Sequence, residues 1–155
     1  MPKAYFRATI APLFNQPGVE YVGEIDEHAK SAFLGQASAL LFPVDWPEPF
    51  GLSMIEAMAC GTPVLAFRCG SVPEIIDPGV TGHIVRTVDE AIRILPEVLA
   101  LDRRAVRQRF EQRFSATRMA KDYAQVYRSL LKRPSLTDRS AAILRLEPDL
   151  KKGMN

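Results

Sequence analysis

The sequence has few of the residues that define disulfide-rich, metal-binding and membrane-spanning proteins. Only two of its 155 residues are cysteine, and Cys60 and Cys69 form no C-x-x-C pair and have no histidine beside them. We therefore expect neither a disulfide scaffold nor a zinc site. No apolar run approaches the ~20 residues that a membrane span requires, and no signal-peptide core follows Met1. Secretion by that route is not expected, and the expected location is the cytoplasm.

Two common nucleotide-binding signatures are also absent. The sequence contains no G-x-G-x-x-G, which argues against a nicotinamide oxidoreductase, and no P-loop lysine motif. Its composition is 47% hydrophobic and 25% charged. These fractions are typical of one folded domain with a sizeable core and exclude a disordered chain.

Charge is distributed unevenly along the chain, although the net charge is only +2. Residues 1–100 contain six Lys/Arg and twelve Asp/Glu, whereas residues 101–133 contain ten Lys/Arg and three Asp/Glu. A basic block can contact nucleic acid or an anionic membrane surface. The aromatic residues of this block recur at helical spacing, which favours a core stripe over a nucleic-acid interface. We expect no nucleic-acid partner, and peripheral membrane contact through residues 101–133 stays open.

Apolar runs and capping residues predict alternating strands and helices. Strands are predicted over residues 19–22, 39–42, 64–67 and 82–85. Helices are predicted over residues 4–14, 27–37, 51–60, 88–100, 103–113 and 116–132. Asp26 and Thr87 have the positions of N-caps, and Phe33 is expected to face inward.

This order of elements predicts an α/β fold, with a Rossmann-like parallel sheet, helices on both of its faces and further helices at the C-terminal end. Residues 1–132 are expected to form the domain. Residues 133–155 are expected to form a poorly structured tail with at most one short helix near residues 141–146. Sheets of this kind bind ligands beyond the carboxyl ends of their strands.

A loop at residues 43–51, stiffened by three prolines, holds Glu48 beyond the carboxyl end of a predicted strand. Gly51 permits close approach of a ligand to the backbone. The next helix starts here, and the amides of Gly51, Leu52 and Ser53 point out of its N-terminus. The loop therefore predicts an anion site.

The helix after this loop carries Glu56 among apolar residues, so we expect the helix and this carboxylate to be buried on all sides. A buried carboxylate needs a partner, and residues 31–67 contain no Lys or Arg. Glu56 must therefore meet backbone donors, a distant side chain or the hydroxyls of a ligand. Two interpretations of Glu56 remain open: a structural hydrogen-bond network, and a site that binds sugar hydroxyls.

Glu48 and Glu56 stand eight residues apart within P-E-P-F-G-L-x-x-I-E-A-M-A-C-G-T-P-V. This segment resembles the E-x(7)-E signature of the retaining GT-B-fold glycosyltransferases of family 4, the glycosyl transferases group 1. Residues 19–25, 70–74 and 79–82 resemble the segments that flank the signature in that family. The resemblance covers about residues 4–132.

The resemblance implies the C-terminal, donor-binding domain of a hexosyltransferase that uses a nucleotide-diphosphate sugar, retains the anomeric configuration and needs no bound metal or other cofactor. It implies that Glu56 binds the ribose hydroxyls, that Glu48 is the catalytic residue at the donor sugar and that Ile25 lies beside the base. The sugar and diphosphate are expected at Phe50, Gly51 and Leu52, with Ser53 in the same helix start.

The family has two Rossmann-like domains, and nothing in the sequence resembles the first, acceptor-binding one. The two strands that open the donor domain, with a G-R-x(4)-K grip on the diphosphate, are also not found before Tyr5. Lys30 and Arg68 have ordinary surface and strand-end interpretations. We expect an exposed apolar edge that a missing N-terminal acceptor domain or a dimer partner covers.

Two other functions remain open. The chain could be a non-catalytic nucleotide-binding or interaction module derived from a glycosyltransferase. It could also be a glycosidase with two carboxylates, although a buried glutamate argues against a base supplied with solvent water.

Overall fold

The computed structural model describes residues 3–131, which form two compact units that divide after Arg107. The first unit contains a parallel sheet and the helices that pack on it. The second unit contains the end of one helix and the whole of the next. The predicted tail over residues 133–155 lies outside the described residues, and the boundary near residue 132 stays a prediction.

The first unit begins with a short helical segment. Helix α1 (Lys3–Tyr5) continues as a π-helix over Phe6–Ile10 and a 3-10 helix over Ala11–Asn15. Helical structure over residues 4–14 is therefore confirmed, with a change of helix type along it.

The strand predicted over residues 19–22 is wrong. These residues have irregular structure and pair with no strand among residues 3–131. Tyr21 is instead exposed and stacks on Phe14, with ring centroids 4.6 Å apart. An apolar run makes a strand only where a neighbouring strand supplies hydrogen-bond partners, and the described residues supply none here.

Three parallel strands form the sheet: β1 (Leu40–Phe42), β2 (Val64–Phe67) and β3 (Gly82–Val85). Their order is β1-β2-β3, with Leu40 opposite Val64 and Val64 opposite Gly82. Strands β2 and β3 have the predicted bounds. The predicted α/β fold with a parallel, Rossmann-like sheet flanked by helices is confirmed.

Capping residues fix where two of the helices begin. Asp26 accepts a hydrogen bond from the Ala29 amide (2.8 Å) at the start of α2 (Glu27–Gln36). Thr87 does the same for the Glu90 amide (3.1 Å) at the start of α5 (Val88–Leu99). Both helices are confirmed with bounds close to those predicted. The expectation that Phe33 faces inward is wrong, because its side chain is exposed and no described element covers that side of α2.

Two helices cover the sheet. Helix α5 packs on the face formed by Leu65 and Val85, and its Val98 is completely buried. Side chains alternate across a strand, so Val64 and Ala66 occupy the opposite face. Helix α3 (Leu52–Ala59) contacts β1 and β2 and buries Met54, Ile55, Ala57 and Met58. A short helix, α4 (Val72–Ile75), lies between β2 and β3 in the chain.

The first turn of α6 (Arg103–Phe114) holds the ends of earlier helices. The Arg103 guanidinium donates to the carbonyl oxygens of Gly35 (2.7 Å) and Ala37 (2.6 Å) at the end of α2, and to the Thr62 hydroxyl (2.9 Å). Arg107 donates to the carbonyl oxygen of Ala59 at the end of α3. Carbonyl groups at a helix end have no partner within the helix, so these arginines satisfy them.

In the second unit, α7 (Ala116–Leu131) begins after Ser115, whose hydroxyl accepts from the Arg118 amide (3.3 Å). Apolar residues form a stripe on one face of this helix, but the expectation that its aromatic residues belong to a core stripe is wrong, because within residues 3–131 this face is exposed. The members of the stripe are at least half exposed: Met119, Tyr123, Val126, Tyr127 and Leu130.

Candidate functional site

The candidate site lies at the carboxyl end of β1, where a loop over residues 43–51 leads into α3. Parallel sheets place their ligands at this end, because the helices that follow the strands point their N-termini there. Gly51 is the N-cap of α3 and has φ +72°, a left-handed conformation that glycine adopts without steric cost. The chain can therefore turn abruptly from the loop into the helix.

Glu48 is tied to the start of α3 by its own side chain. Its Oε1 accepts a hydrogen bond from the Gly51 amide (3.1 Å), and its carbonyl oxygen accepts from the Ser71 amide (2.8 Å). Of the three amides predicted to bind an anion, that of Gly51 is thus already engaged by a carboxylate. The amides of Leu52 and Ser53 make no hydrogen bond to any residue in the described range 3–131.

The loop after β2 passes directly against the Glu48 backbone. Gly70 has φ +51°, and a Cβ there would overlap the backbone nitrogen and oxygen of Glu48 and stand 2.8 Å from the Pro47 carbonyl carbon. Only glycine permits so close an approach. The position of Glu48 therefore depends on residue 70, which the sequence analysis assigned only to a flanking segment.

The Ser71 hydroxyl stands next to the start of α3 without a partner. The residue is 9% exposed, and no group in residues 3–131 hydrogen-bonds with its Oγ. A Cβ built on Gly51 would lie 3.5 Å from this oxygen. A buried hydroxyl that lacks a hydrogen bond costs about 1–3 kcal/mol, so a ligand that supplies one gains by binding here.

Helix α3 has one open side, contrary to the expectation that it is buried on all sides. Leu52 is 61% exposed, and the Glu56 side chain is 38% exposed. The expectation of a buried Glu56 is wrong because, within residues 3–131, no element covers this side of the helix. The carboxylate is accessible to a ligand.

The partner of Glu56 is a distant side chain, one of the three possibilities that the sequence left open. Lys30, in the first turn of α2, places Nζ 2.9 Å from Glu56 Oε1 and 2.6 Å from Glu27 Oε1. The hydrogen bonds that Lys30 donates to Glu27 and, second, to Glu56 raise the pKa of its ammonium above the usual value. Among the described residues, no other hydrogen bond reaches the Glu56 carboxylate.

The remaining predicted site residues lie around these two centres. Phe50 has an exposed ring in the loop before α3, and Ser53 is half-buried in its first turn. Ile25 is half-buried directly before the Asp26 cap of α2. The structure joins Glu48 to Gly51 by a hydrogen bond. The assignment of all these residues to a donor stays a prediction.

The sequence analysis assigned Lys30 only a surface interpretation, which the ion pair with Glu56 corrects, and it placed Gly70 and Ser71 only in a segment that flanks the signature. One signal could have identified the first, because Lys30 is the last cation before the stretch 31–67, which has none and contains Glu56. Ser71 gives no such signal, since its burial and its lack of a partner depend on how two loops meet.

An apolar groove of about 310 Å³ lies beside the edge strand β1. Its walls come from the strands and from α5, and they include Leu41, Phe42, Leu65, Val88 and Ile92. Leu41, Val88 and Ile92 are more than half exposed. The expected apolar edge is therefore present in the described residues.

Residues 3–131 contain no cluster of three or more His, Cys, Asp or Glu side chains that could hold a metal ion. No helix in the same range is long and apolar enough to cross a membrane.

Comparison with known proteins identifies a family. The model of the family described as Glycosyl transferases group 1 matches residues 3–114. The D-inositol 3-phosphate glycosyltransferase of Saccharomonospora viridis is 38% identical over 92 residues, which are 54% of this chain and 21% of that protein. The chain spans about a fifth to a third of the length of the curated relatives it matches.

The solved structures that are similar to this chain include those of two named proteins. Sucrose-phosphate synthase from Thermosynechococcus elongatus aligns with a TM-score of 0.62 and 36% identity, over 73% of this chain and 30% of that one. HepE from Anabaena, solved in complex with UDP, aligns with a TM-score of 0.52 over 63% of this chain and 29% of that one. At 23% identity, the second likeness shows the fold alone.

Proposed function

Because the chain belongs to the glycosyl transferases group 1 family, we propose that it is the donor-binding part of a retaining hexosyltransferase. The proposed donor is a nucleotide-diphosphate sugar. One observation carries the proposal: Glu48 contacts the start of α3, and Glu56 lies on the open side of the same helix. The five steps from residue to residue between Gly51 and Glu56 correspond to a rise of about 7.5 Å along the helix axis. A ligand that extends along this side meets both carboxylates.

The start of α3 is the proposed place of the diphosphate. The unpaired amides of Leu52 and Ser53, together with the helix dipole, favour an anion by about 0.3–1 kcal/mol or more when partly buried. The buried Ser71 hydroxyl adds a donor beside them. Such fixed donors can stabilise the charge of a leaving diphosphate without a cation.

Glu48 has to change partner when a donor binds. Its carboxylate now accepts from the Gly51 amide, and a phosphate oxygen at that amide would release it. The freed carboxylate can then accept hydrogen bonds from the hydroxyls of the donor sugar. Under this proposal Glu48 orients the sugar, as the family resemblance implies.

The proposed reaction retains the configuration at the anomeric carbon. The bond between that carbon and the diphosphate oxygen breaks, and the acceptor oxygen forms its bond on the same face. The acceptor's proton passes to the departing phosphate oxygen, so the reaction requires no side-chain base. We assign the base role to none of the described residues.

The open edge of the sheet implies a partner for this chain. We propose that an acceptor-binding domain or a second copy covers the groove beside β1. Sedimentation distinguishes the acceptor-binding domain from the second copy, because a concentration-dependent dimer that Val88→Glu dissociates supports a second copy.

The basic block that contains α7, with its exposed apolar stripe, is the proposed point of contact with an anionic membrane surface.

Binding of a nucleotide is the direct test. Thermal unfolding of the chain with UDP, GDP and ADP is expected to show a rise in stability with one of them. A ligand at 100 times its Kd adds about 2.7 kcal/mol to the free energy of unfolding. A chain that none of the three stabilises, at concentrations up to several millimolar, contradicts the proposal.

Replacing Glu56 tests the ribose contact. Hydrogen bonds to a charged group contribute about 1.5–3 kcal/mol, so Glu56→Ala is expected to weaken nucleotide binding roughly 10- to 100-fold. Glu97→Ala, which removes an exposed carboxylate from α5, is the matched control and is expected to bind normally. Calorimetry that gives equal affinities for the two variants refutes the assignment.

A second candidate function is a non-catalytic nucleotide-binding module, and the uncovered sheet edge and groove favour it. The two candidates differ in turnover. Release of nucleotide from a nucleotide sugar in the presence of acceptor supports the transferase, whereas tight binding without release supports the module.

A further inference from the structure

Lys30 connects two helices that carry different parts of the candidate site. The Asp26 cap sets the start of α2, and Lys30 follows one turn later. From there its ammonium reaches across to α3 and donates to Glu56 Oε1 at 2.9 Å, while a second hydrogen bond goes to Glu27 Oε1 at 2.6 Å. An ammonium has three donors, so these two contacts fix the direction of the third.

The contact holds one carboxylate oxygen of Glu56 and leaves the other open. Oε1 accepts from Lys30, and within residues 3–131 no donor reaches Oε2. The Lys30 side chain is only 26% exposed, whereas the Glu56 side chain is 38% exposed. The lysine is therefore the more enclosed member of the pair, and the partly exposed carboxylate keeps one oxygen without a donor from the described residues.

We propose that Lys30 is a positioning residue that orients the Glu56 carboxylate, so that its open oxygen accepts from the ribose hydroxyls and selects ribonucleotides over 2′-deoxyribonucleotides. This inference rests on the proposed donor site. A glutamate side chain that is already fixed has less conformational freedom to lose when a ligand binds. Without the ammonium, the carboxylate can turn toward solvent and the ribose contact weakens.

A purely structural role for the same ion pair predicts a different result. Pairs that are partly exposed contribute little to stability, and Glu27 alone could satisfy the ammonium. If Lys30 only joined α2 to α3, or only attracted phosphate, its loss would weaken ribose and deoxyribose nucleotides equally. The difference between the two sugars therefore isolates the positioning role.

The experiment measures calorimetric affinities of the 155-residue chain for UDP, GDP and ADP and for the 2′-deoxy form of each. For whichever base binds, the wild-type chain is expected to prefer the ribose form by roughly 10- to 100-fold, as a charge-assisted hydrogen bond to a hydroxyl implies. Lys30→Met is expected to reduce this preference to less than about threefold by weakening the ribose form alone.

Two further variants complete the design. Lys30→Arg keeps a charged donor and is expected to restore most of the preference. Lys121→Met makes the same change of charge on α7, at a lysine that contacts neither carboxylate, and is expected to leave the preference unchanged. An unaltered affinity for the deoxy nucleotide shows that Lys30→Met is folded. If Lys30→Met does not fold, Lys30→Gln takes its place in the comparison.

The outcomes distinguish the positioning role of Lys30 from the proposed function. A ribose preference that persists in Lys30→Met or Lys30→Gln overturns the positioning role, and so does an equal loss for both sugars. A wild-type chain that binds none of the three diphosphates overturns the proposed function, and this inference with it.

Discussion

Replacing Gly70 with alanine tests whether the place of Glu48 depends on a close approach between two loops. A Cβ at residue 70 would overlap the backbone nitrogen and oxygen of Glu48 and crowd the Pro47 carbonyl carbon at 2.8 Å. These are backbone atoms, so no side-chain rotation relieves the overlap. The loop over residues 43–51 must move away from the loop after β2.

The size of the effect follows from three contributions. An alanine in the left-handed region costs about 1–2 kcal/mol, and an overpacked contact costs about 1–3 kcal/mol. Separation of the loops also loses the hydrogen bond from the Ser71 amide to the Glu48 carbonyl oxygen, about 1 kcal/mol. The contact and hydrogen-bond contributions do not add in full, because separation of the two loops relieves the crowded contact and at the same time breaks the hydrogen bond. We expect Gly70→Ala to lower the free energy of unfolding by about 2–5 kcal/mol.

Gly79→Ala is the matched control, since Gly79 has φ +78° and a Cβ there meets nothing within 4 Å. Its expected cost is the backbone contribution alone, about 1–2 kcal/mol. Urea unfolding followed by circular dichroism compares the two variants. With a slope of about 1–2 kcal/mol per molar urea, the midpoint of Gly70→Ala is expected about 1 M below that of Gly79→Ala.

The single tryptophan gives a local signal in the same experiment. Trp46 is exposed and lies two residues before Glu48, so displacement of its loop is expected to change its emission in the folded state of Gly70→Ala only. Equal midpoints for the two variants, with the same folded-state emission, refute the close-approach argument.

Two other predictions concern the arginine and lysine contacts. Arg103→Met is expected to cost about 2–3 kcal/mol in urea unfolding, because it removes three hydrogen bonds from a charged donor; a loss no larger than that of exposed Arg104→Met contradicts this. The stability difference between wild type and Lys30→Met is expected to be constant from pH 6 to 9. Glu27 and Glu56 raise the pKa of Lys30, so its contribution is complete below the unfolded value of about 10.4 and disappears only above that. A difference that changes between pH 6 and 9 contradicts the assignment.

Local sequence signals predicted most elements of the fold. Strand β2 is a continuous apolar run between Pro63 and Arg68, and it has the predicted bounds. The start of α2 follows from Asp26, whose side chain forms the expected cap. In both cases the deciding interactions lie within a few residues along the chain, which is why the sequence reveals them.

The errors all concern contacts that are distant in sequence. Residues 19–22 have the composition of a strand but no neighbouring strand in the described structure. The expectation that α3 is buried on all sides is wrong, because burial on every side requires neighbouring elements on every side. Within residues 3–131, no element covers Leu52 and Glu56. Phe33 is exposed for the same reason.

The same distinction between local and distant contacts applies to the candidate site. The spacing of Glu48 and Glu56 predicts both carboxylates as site residues, because eight residues of loop and helix determine their arrangement, and their assignment stays a prediction. Lys30 lies 26 residues before Glu56 on another helix, so only the folded chain brings the two together. The dependence of Glu48 on Gly70 is likewise a contact between two separate loops.

The hydrogen bond between Glu48 and the Gly51 amide gives the anion site a tethered competitor. A carboxylate on a short tether has an effective concentration in the millimolar range or above, so an incoming anion has to displace it. Inorganic phosphate or sulfate is too small to interact with more than the helix start. The proposed donor, a nucleotide sugar, would also reach Glu56, further along α3. Under the proposed function, the hydrogen bond between Glu48 and the Gly51 amide would therefore favour ligands long enough to contact the whole open side of the helix over small free anions.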